Sequence, residues 1–575
     1  MSFPPNQPIS SSDGLGDAPP VVDSVAPQVE SNPIAATHQG VCEGKKGHVA
    51  SAPFIELAQR MSFVHWFAAS LLLFVADIAM FSGHGFTGLA LLFLVAPFLI
   101  MLTGMHRQSL SVFFVLSMLV VVAVRAVWLG SFLLGFCGFV LIFSMSLVAS
   151  GFKASLTNLL LHCFVAPFSG ISHLFSLAGI WAIRKPCAVR KKNGVAAIVI
   201  PLAAISVFGS IFVFANPDLS ATVSRFLNDI VFNSSLLKYL PSFSHYWFWC
   251  VVGVFAIGLV RPLSRFGPPL DVDVFTSIES QPVSCGDIAE CKHFEVFRNT
   301  LVSLIFLFIV YLVFEFSTLW FREFPVGFYY AGYAHNGAAW LTFALLLTTV
   351  TLSLIFRREL YSDPRVSQIW ILSSIWIALN FVLAIAVYNR MWIYVDFNGL
   401  TMMRMVGLFG ITTVVTGMVL LIFKMKRRQS FSWLVAQDIK ALFVAVFLFA
   451  VVPIDWIWVS YNVDRVNSGD LPASIQLVAH PIGDDGIRPL IELIHHENET
   501  IREGGKAILF LRLDQLAFTN SRRRELGWTA IQLGSEAIQA DIQSLLESGS
   551  LDSIESTAIA ETAKQKFYDY AFQWY

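Results

Sequence analysis

The sequence predicts an all-α, polytopic transmembrane helix bundle of about eleven spans, with a small α-helical extracytoplasmic domain at its C-terminus. Separate apolar stretches run from Phe63 to Trp458, and 56% of the 575 residues are hydrophobic while only 13% are charged. A soluble globule of that composition would lack the polar surface to stay dissolved. Lys and Arg concentrate in alternate connections, the pattern left by loops held on the cytoplasmic side of a membrane. These observations divide the chain into a disordered cytoplasmic tail (1–55), a bundle (56–458) and a polar helical region (459–575).

The first fifty or so residues are rich in Ser, Pro, Asn, Gly and Asp and open without the basic flank and apolar core of a signal peptide. The stretches Phe63 to Phe81, Phe86 to Thr103, Leu110 to Leu129 and Val195 to Phe214 can each cross a hydrocarbon core of about 30 Å at about 1.5 Å per residue. Further spans fall near Phe132 to Ala149, Tyr246 to Val260, Leu301 to Leu319, Ala338 to Phe356, Ile369 to Val387, Met402 to Phe423 and Ile439 to Ile457. Gly151 to Ile183 is apolar but broken by Asn158, His162, Pro167, Gly170, His173 and Gly179. An interfacial or re-entrant hairpin there keeps the charge alternation, whereas a crossing would invert every later loop. Leu219, Val223, Phe226, Leu227, Ile230 and Val231 share one face of an amphipathic stretch expected on the outer leaflet.

The basic connections are His106-Arg107, Arg184 to Lys192, Arg261 to Arg298, Arg357 to Arg365 and Lys424 to Arg428. Ser82 to Gly85, Asn216 to Tyr246, Phe321 to Asn336 and Asn389 to Leu400 carry few positive charges, which places the N-terminus inside and the C-terminus outside. Beyond Trp458, helical patterning at Ile487 to His495 and Leu526 to Leu546 predicts the C-terminal helices.

Charge within a span is costly unless paired or hydrated, so the ionisable residues there are the candidates for function. Glu315, with Arg404 or Arg125, is a candidate intramembrane polar site, against snorkelling to the interface or local pairing. The net charge of −1 gives no basic surface for nucleic acid. The seven cysteines form no CxxC pair, the His495-His496-Glu497 run lacks metal-ligand spacing, and no phosphate-binding or nucleophile motif occurs. No cofactor, metal or catalytic residue is implied.

Two segments stand apart from the apolar runs. One is Tyr329-Tyr330-Ala331-Gly332-Tyr333-Ala334-His335-Asn336-Gly337-Ala338; the other is Asn389 to Thr401, containing Arg390, Tyr394 and Asp396 and followed by Arg404. With Tyr461-Asn462-Val463-Asp464-Arg465 after the last span, they resemble signature stretches of a bacterial multi-pass membrane family, domain of unknown function forty-one seventy-three, and its sister forty-one fifty-three. The resemblance covers roughly residues 195 to 530 and implies fold and location but no reaction. Gly332 and Asn336 stand where an acidic and a basic residue are common in that family.

Physically, Tyr333 and His335 supply hydrogen-bonding tips to an aromatic girdle at the outer interface. In the sharper alternative, Arg390, Tyr394, Asp396 and Arg404 join Tyr333 and His335 around an anionic ligand or lipid headgroup. Three classes follow: a structural, signalling or envelope-partner-binding protein of the bacterial inner membrane; a translocator of an anionic lipid or small molecule; and an enzyme on lipid-linked substrates, with Asp396 or Asp464 as its carboxylate. The first is the leading expectation. Its partners are the bilayer, anionic headgroups and an envelope protein met through the C-terminal domain.

Overall fold

The computed structural model describes residues 61–104, 109–152, 154–183, 242–261, 294–317, 330–356, 358–361 and 363–573, and of 175–183 and 330–338 the backbone alone. The described residues contain helices and no strand, and they belong to one compact unit, Glu56–Tyr575. The expected tail 1–55, the span Val195 to Phe214, the amphipathic stretch from Leu219 to Val231 and the loop His106-Arg107 lie outside them.

Helix α1 (Phe63–Ala76) continues into a π turn, Asp77–Phe81, and is followed by α2 (Phe86–Thr103), α3 (Leu110–Leu129), α4 (Phe132–Ala149), α5 (Leu156–Ile183) and α6 (Phe243–Val260). Then come α7 (Phe294–Glu315), α8 (Tyr330–Ile355), short α9 (Arg358–Tyr361), α10 (Val366–Asn398), α11 (Met402–Arg427) and α12 (Phe431–Val451). The C-terminal helices are α13 (Ile454–Asn467), α14 (Ser474–Ala479), α15 (Ile487–Leu490), α16 (Glu499–Glu525), α17 (Leu533–Glu547) and α18 (Thr557–Phe572). Among the described residues eight helices are long and apolar enough to cross a membrane: α1 with its π turn, α2, α3, α4, α7, α10, α11 and α12. Shorter apolar helices occupy Ser244–Val260 and Ala339–Ile355.

Local chemistry sets the helix starts. Ser131, Thr401 and Ser430 each accept a hydrogen bond from a backbone N–H three residues on, filling one of the donors a helix start leaves orphaned. The break after α12 falls at Pro453, which lacks an N–H and favours extended backbone before it; Val452 has ψ of 136°.

Four sequence expectations change. Gly151 to Ile183 is no hairpin: Leu156–Ile183 is one 28-residue helix with Pro167 inside it. Its polar residues do not break it because Asn158, His162, Ser169 and His173 are buried against neighbours, as His162 is on the Ser146 hydroxyl at 3.0 Å. Asn389 to Asn398 is not a loop but the last turns of α10, because Arg390, Met391 and Val395 keep the helical spacing of its buried face. The stretch from Tyr330 likewise opens α8, and the last span is Phe431–Val451 rather than Ile439 to Ile457.

Two packed halves result. The first, α1 to α6, is filled by residues such as Ala68, Leu119, Val122, Leu134 and Met145. Small residues bring its helices close: a Cβ on Gly258 of α6 would run into the Ala166 carbonyl of α5, and one on Gly138 into the Phe93 ring. The second half packs α7, α8, α10 and α11 around Leu345, Leu352, Trp376, Leu383 and Leu421. Helix α12 touches both through Phe447 and Leu434.

The C-terminal helices share a core with the bundle, in which Val395 and Leu400 join Trp458, Val463, Leu490, Leu513, Ile542 and Phe567. They sit at the end where α2 and α4 begin and α3 and α10 finish. There the His84 N–H donates to Thr529, the Gly130 N–H donates to Gln532 at 3.2 Å, and Thr87 donates to the Ile531 carbonyl. Ser62 and His65 lie at the opposite end, where the Arg261 guanidinium is 3.1 Å from His65.

Candidate functional site

Helix α10 has 33 residues, about 50 Å at 1.5 Å per residue, and so exceeds a hydrocarbon core of about 30 Å. Its buried face is apolar except for Ser373, Asn380 and Arg390. Arg390 lies about 36 Å along that helix, and Glu315 is the last residue of α7. Both are therefore near one membrane surface yet enclosed by protein: Glu315 is 0% and Arg390 6% exposed.

Arg390 meets Glu315 as a fork, Nε to one carboxylate oxygen and Nη2 to the other, and the Tyr311 hydroxyl adds a donor at 2.9 Å. Such bidentate pairing is among the strong forms of charge-assisted hydrogen bonding. Glu315 thus pairs with Arg390 rather than with Arg404 or Arg125. Back along α10, Asn380 accepts from Thr348 at 2.9 Å and donates to the Trp376 carbonyl at 2.8 Å. The Ser373 hydroxyl and Trp376 indole N–H, both buried, have no hydrogen-bond partner among the described residues.

One turn beyond Arg390, the end of α10 exposes carbonyls that no helical N–H can reach. Two arginines take them. Arg465 of α13 donates to the Val395 carbonyl at 2.8 Å and to that of Asp396, and is held in turn by Asp470. Arg404, in the first turn of α11, donates to the Asn398 carbonyl at 3.0 Å and to that of Gly399. Its guanidinium lies 3.8 Å above the centroid of the Tyr394 ring. Between them Asn462 grips the connecting turn, accepting from the Leu400 N–H at 2.8 Å and donating to the Leu400 carbonyl at 2.7 Å. Gly399 has φ of +78°, where a side chain is strained, and a Cβ there would strike the Asn462 amide. Cations are stabilised at a helix C-terminus by its dipole, so this clasp is electrostatic as well as geometric. Lys424 does the same for α8, donating to the Ser353 carbonyl at 2.8 Å and to the Ser353 hydroxyl at 2.7 Å.

Of the residues picked from the sequence, Arg390, Arg404 and Tyr394 therefore lie close together, but their donors and faces are directed at protein. Asp396 contributes its backbone carbonyl while its side chain is exposed, and Asp464 is also exposed. The side chains of Tyr333 and His335 lie outside the described residues. Arg125 stands apart, at the end of α3, where it bridges to Asp485 of the C-terminal region. Burial raises the Asp485 carboxyl above its ordinary value, outweighing Arg125. Arg512 binds the adjacent Asp484. Among the described residues no cluster of His, Cys, Asp and Glu could hold a metal.

The sequence reading gave no role to Asn462, Arg465, Asp485 or Arg512. The available signal was Asn462 and Arg465, three apart on one face of the helix entering the polar region, together with Gly399 directly after α10. At the same end of the first half, Asp77 in the π turn accepts from His245 and, at 2.9 Å, from Trp249.

No curated protein and no solved structure matches the chain. A family model does, beginning at residue 110 rather than 195 and ending at 493 rather than near 530. It is the one named above as the sister, and it takes in the ion pair, both clasp arginines and the Arg125–Asp485 bridge. The chain belongs to the family described as Domain of unknown function (DUF4153), matched over residues 110–493, and is an integral membrane protein.

Proposed function

We propose that this protein is a membrane-embedded scaffold that holds its C-terminal helices rigidly at the extracytoplasmic face of a bacterial inner membrane, for an envelope protein partner. The observation carrying this reading is the clasp: Arg404 through Nη1, Arg465 through Nη1 and Nη2, and Asn462 through its amide all hydrogen-bond the end of α10 and its turn. A ligand-binding arginine keeps its fork open toward the ligand, whereas these are turned inward. The bundle in this reading has about eleven spans, counting the eight long helices, α6, α8 and Val195 to Phe214, with α5 taken as an interfacial helix that does not cross.

The test is a photo-crosslinking amino acid placed at exposed Gln565 of α18, in the full chain in its native membrane. Discrete protein adducts at Gln565, lost when Asn462→Ala and Arg465→Gln release the clasp while the bundle stays folded by circular dichroism, support the scaffold. Adducts that persist after release, or lipid adducts alone, overturn it.

A second reading, an ion- or proton-coupled translocator, draws support from the buried polar row Ser373, Asn380, Arg390 and Glu315 in the second half. Flux of an ion or anionic lipid through proteoliposomes that disappears in a folded Glu315→Gln variant would establish it. Flux unaffected by that change, or none at all, removes it.

A further inference from the structure

The corner formed by the end of α16 and the start of α17 carries features that the scaffold reading does not use. Phe518, Trp528 and Leu533 are 70%, 55% and 51% exposed, and Leu526 is exposed beside them. Gly527, at φ of +97°, turns the chain from α16 into the Trp528 segment. That segment is fixed at the membrane end of the first half: Ala530 packs on Gly85, Thr529 on Gly88, and Gly534 on Trp128 and Leu129. Trp128, Phe132 and Phe136 on α3 and α4 are exposed apolar side chains of the spanning helices at that same end. The exposed apolar side chains of the corner thus continue the lipid-facing surface of the bundle.

Residues 518–533 also contain Arg522, Arg523 and Arg524 against a single acidic residue, Glu525. Arg524 pairs with Glu536 of α17, and Arg523 donates to the Asn520 side chain at 3.2 Å. Arg522 is exposed. A Trp with flanking Leu and Phe seats in the headgroup layer, and arginines within a turn or two of it meet phosphates.

We propose that this corner, residues 518–533, is a second membrane contact that binds the anionic phospholipid headgroups of the leaflet on that side, with Trp528, Leu526 and Leu533 in the interface and Arg522 and Arg523 on phosphate. It stands whether or not the C-terminal helices have a protein partner. It also differs from the arginine site expected from the sequence, since Arg390 and Arg404 take no part.

The full chain is reconstituted in nanodiscs containing a diazirine-bearing phosphatidylglycerol or, at the same fraction, the matching phosphatidylcholine, and adducts are mapped by mass spectrometry. Adducts on 518–533 should form with both lipids and favour phosphatidylglycerol about thirtyfold, as two arginines near a charged surface imply. Arg522→Gln with Arg523→Gln should remove the preference and leave the adducts, and Arg522→Lys with Arg523→Lys should keep both. Wild-type protein with no adducts on 518–533, or with equal labelling by the two lipids, overturns the proposal.

Discussion

The two halves of the bundle solve the same problem by different means. In the first, helices approach until glycine and alanine backbones touch, and the buried polar side chains are neutral-type residues such as Ser146, His162 and Ser169. In the second, formally charged side chains are buried: Glu315, Asp363, Arg390, Arg404 and Lys424 are each under a tenth exposed, and all lie after residue 300. Glu315 and Arg390 neutralise one another, and Arg404 and Lys424 are set on helix carbonyls. The lesson is that the close approach of small residues suffices to hold the first half, although it too meets the C-terminal helices, while the second half uses buried charge to fix helix ends in register.

The sharpest break in that comparison comes at the ion pair. Glu315→Ala should cost about 3–5 kcal/mol, because Arg390 is left as an uncompensated buried charge. Glu315→Met with Arg390→Met should recover most of the loss, since removing both charges also removes their desolvation cost. Thermal unfolding in nanodiscs measures both. A double variant no more stable than Glu315→Ala would mean that the pair contributes more than mutual neutralisation.

Within the first half the corresponding lever is steric. Gly258→Ala places a methyl against the Ala166 carbonyl, a backbone atom that cannot move without shifting α5, and should cost about 1–3 kcal/mol. If Gly258→Ala were neutral, the close approach of α5 and α6 would not be what holds that face.

At the clasp, Gly399→Ala should cost about 1–2 kcal/mol through strain at positive φ and displacement of Asn462. Its signature is local: faster hydrogen exchange at residues 395–401 and in α13, with α1 to α4 unchanged. Uniform loosening of the whole chain would show that the clasp is not a separate unit of stability.

Much of the fold was legible, and the reason differs between halves. Apolar runs such as Phe86 to Thr103 have matching bounds in sequence and structure because hydrocarbon thickness fixes both composition and length. The end of α10 was illegible because Asn389-Arg390-Met391-Trp392 reads as a polar loop until Glu315, 75 positions away, is seen to neutralise Arg390. Arg404 was recognisable as important but not as a helix cap, since a guanidinium facing carbonyls and one facing phosphate present the same residue type. The partners of Asp484 and Asp485 were beyond reach for a like reason: Arg512 and Arg125 come from separate helices brought together only by the shared core.

The smallest predicted effect tests how the clasp senses its electrostatic surroundings. Burial, and then the charge of Arg404, lower the pKa of His480, which follows α14 in the C-terminal region. A histidine whose folded pKa lies below its unfolded value of about 6.5 favours the folded state while neutral, so its contribution is fully present above that value. It is lost as pH falls below about 6.5 toward the folded pKa, when His480 charges beside Arg404. Because His480 is exposed, water screens much of this, and only a small drop in unfolding temperature is expected between pH 7.5 and 5.5. His480→Gln should flatten that part of the profile, and an unchanged slope in the variant would place the acid sensitivity elsewhere. Gly258→Ala should leave the His480 part of the profile unchanged, whereas Arg404→Gln should reduce the His480 contribution along with the clasp.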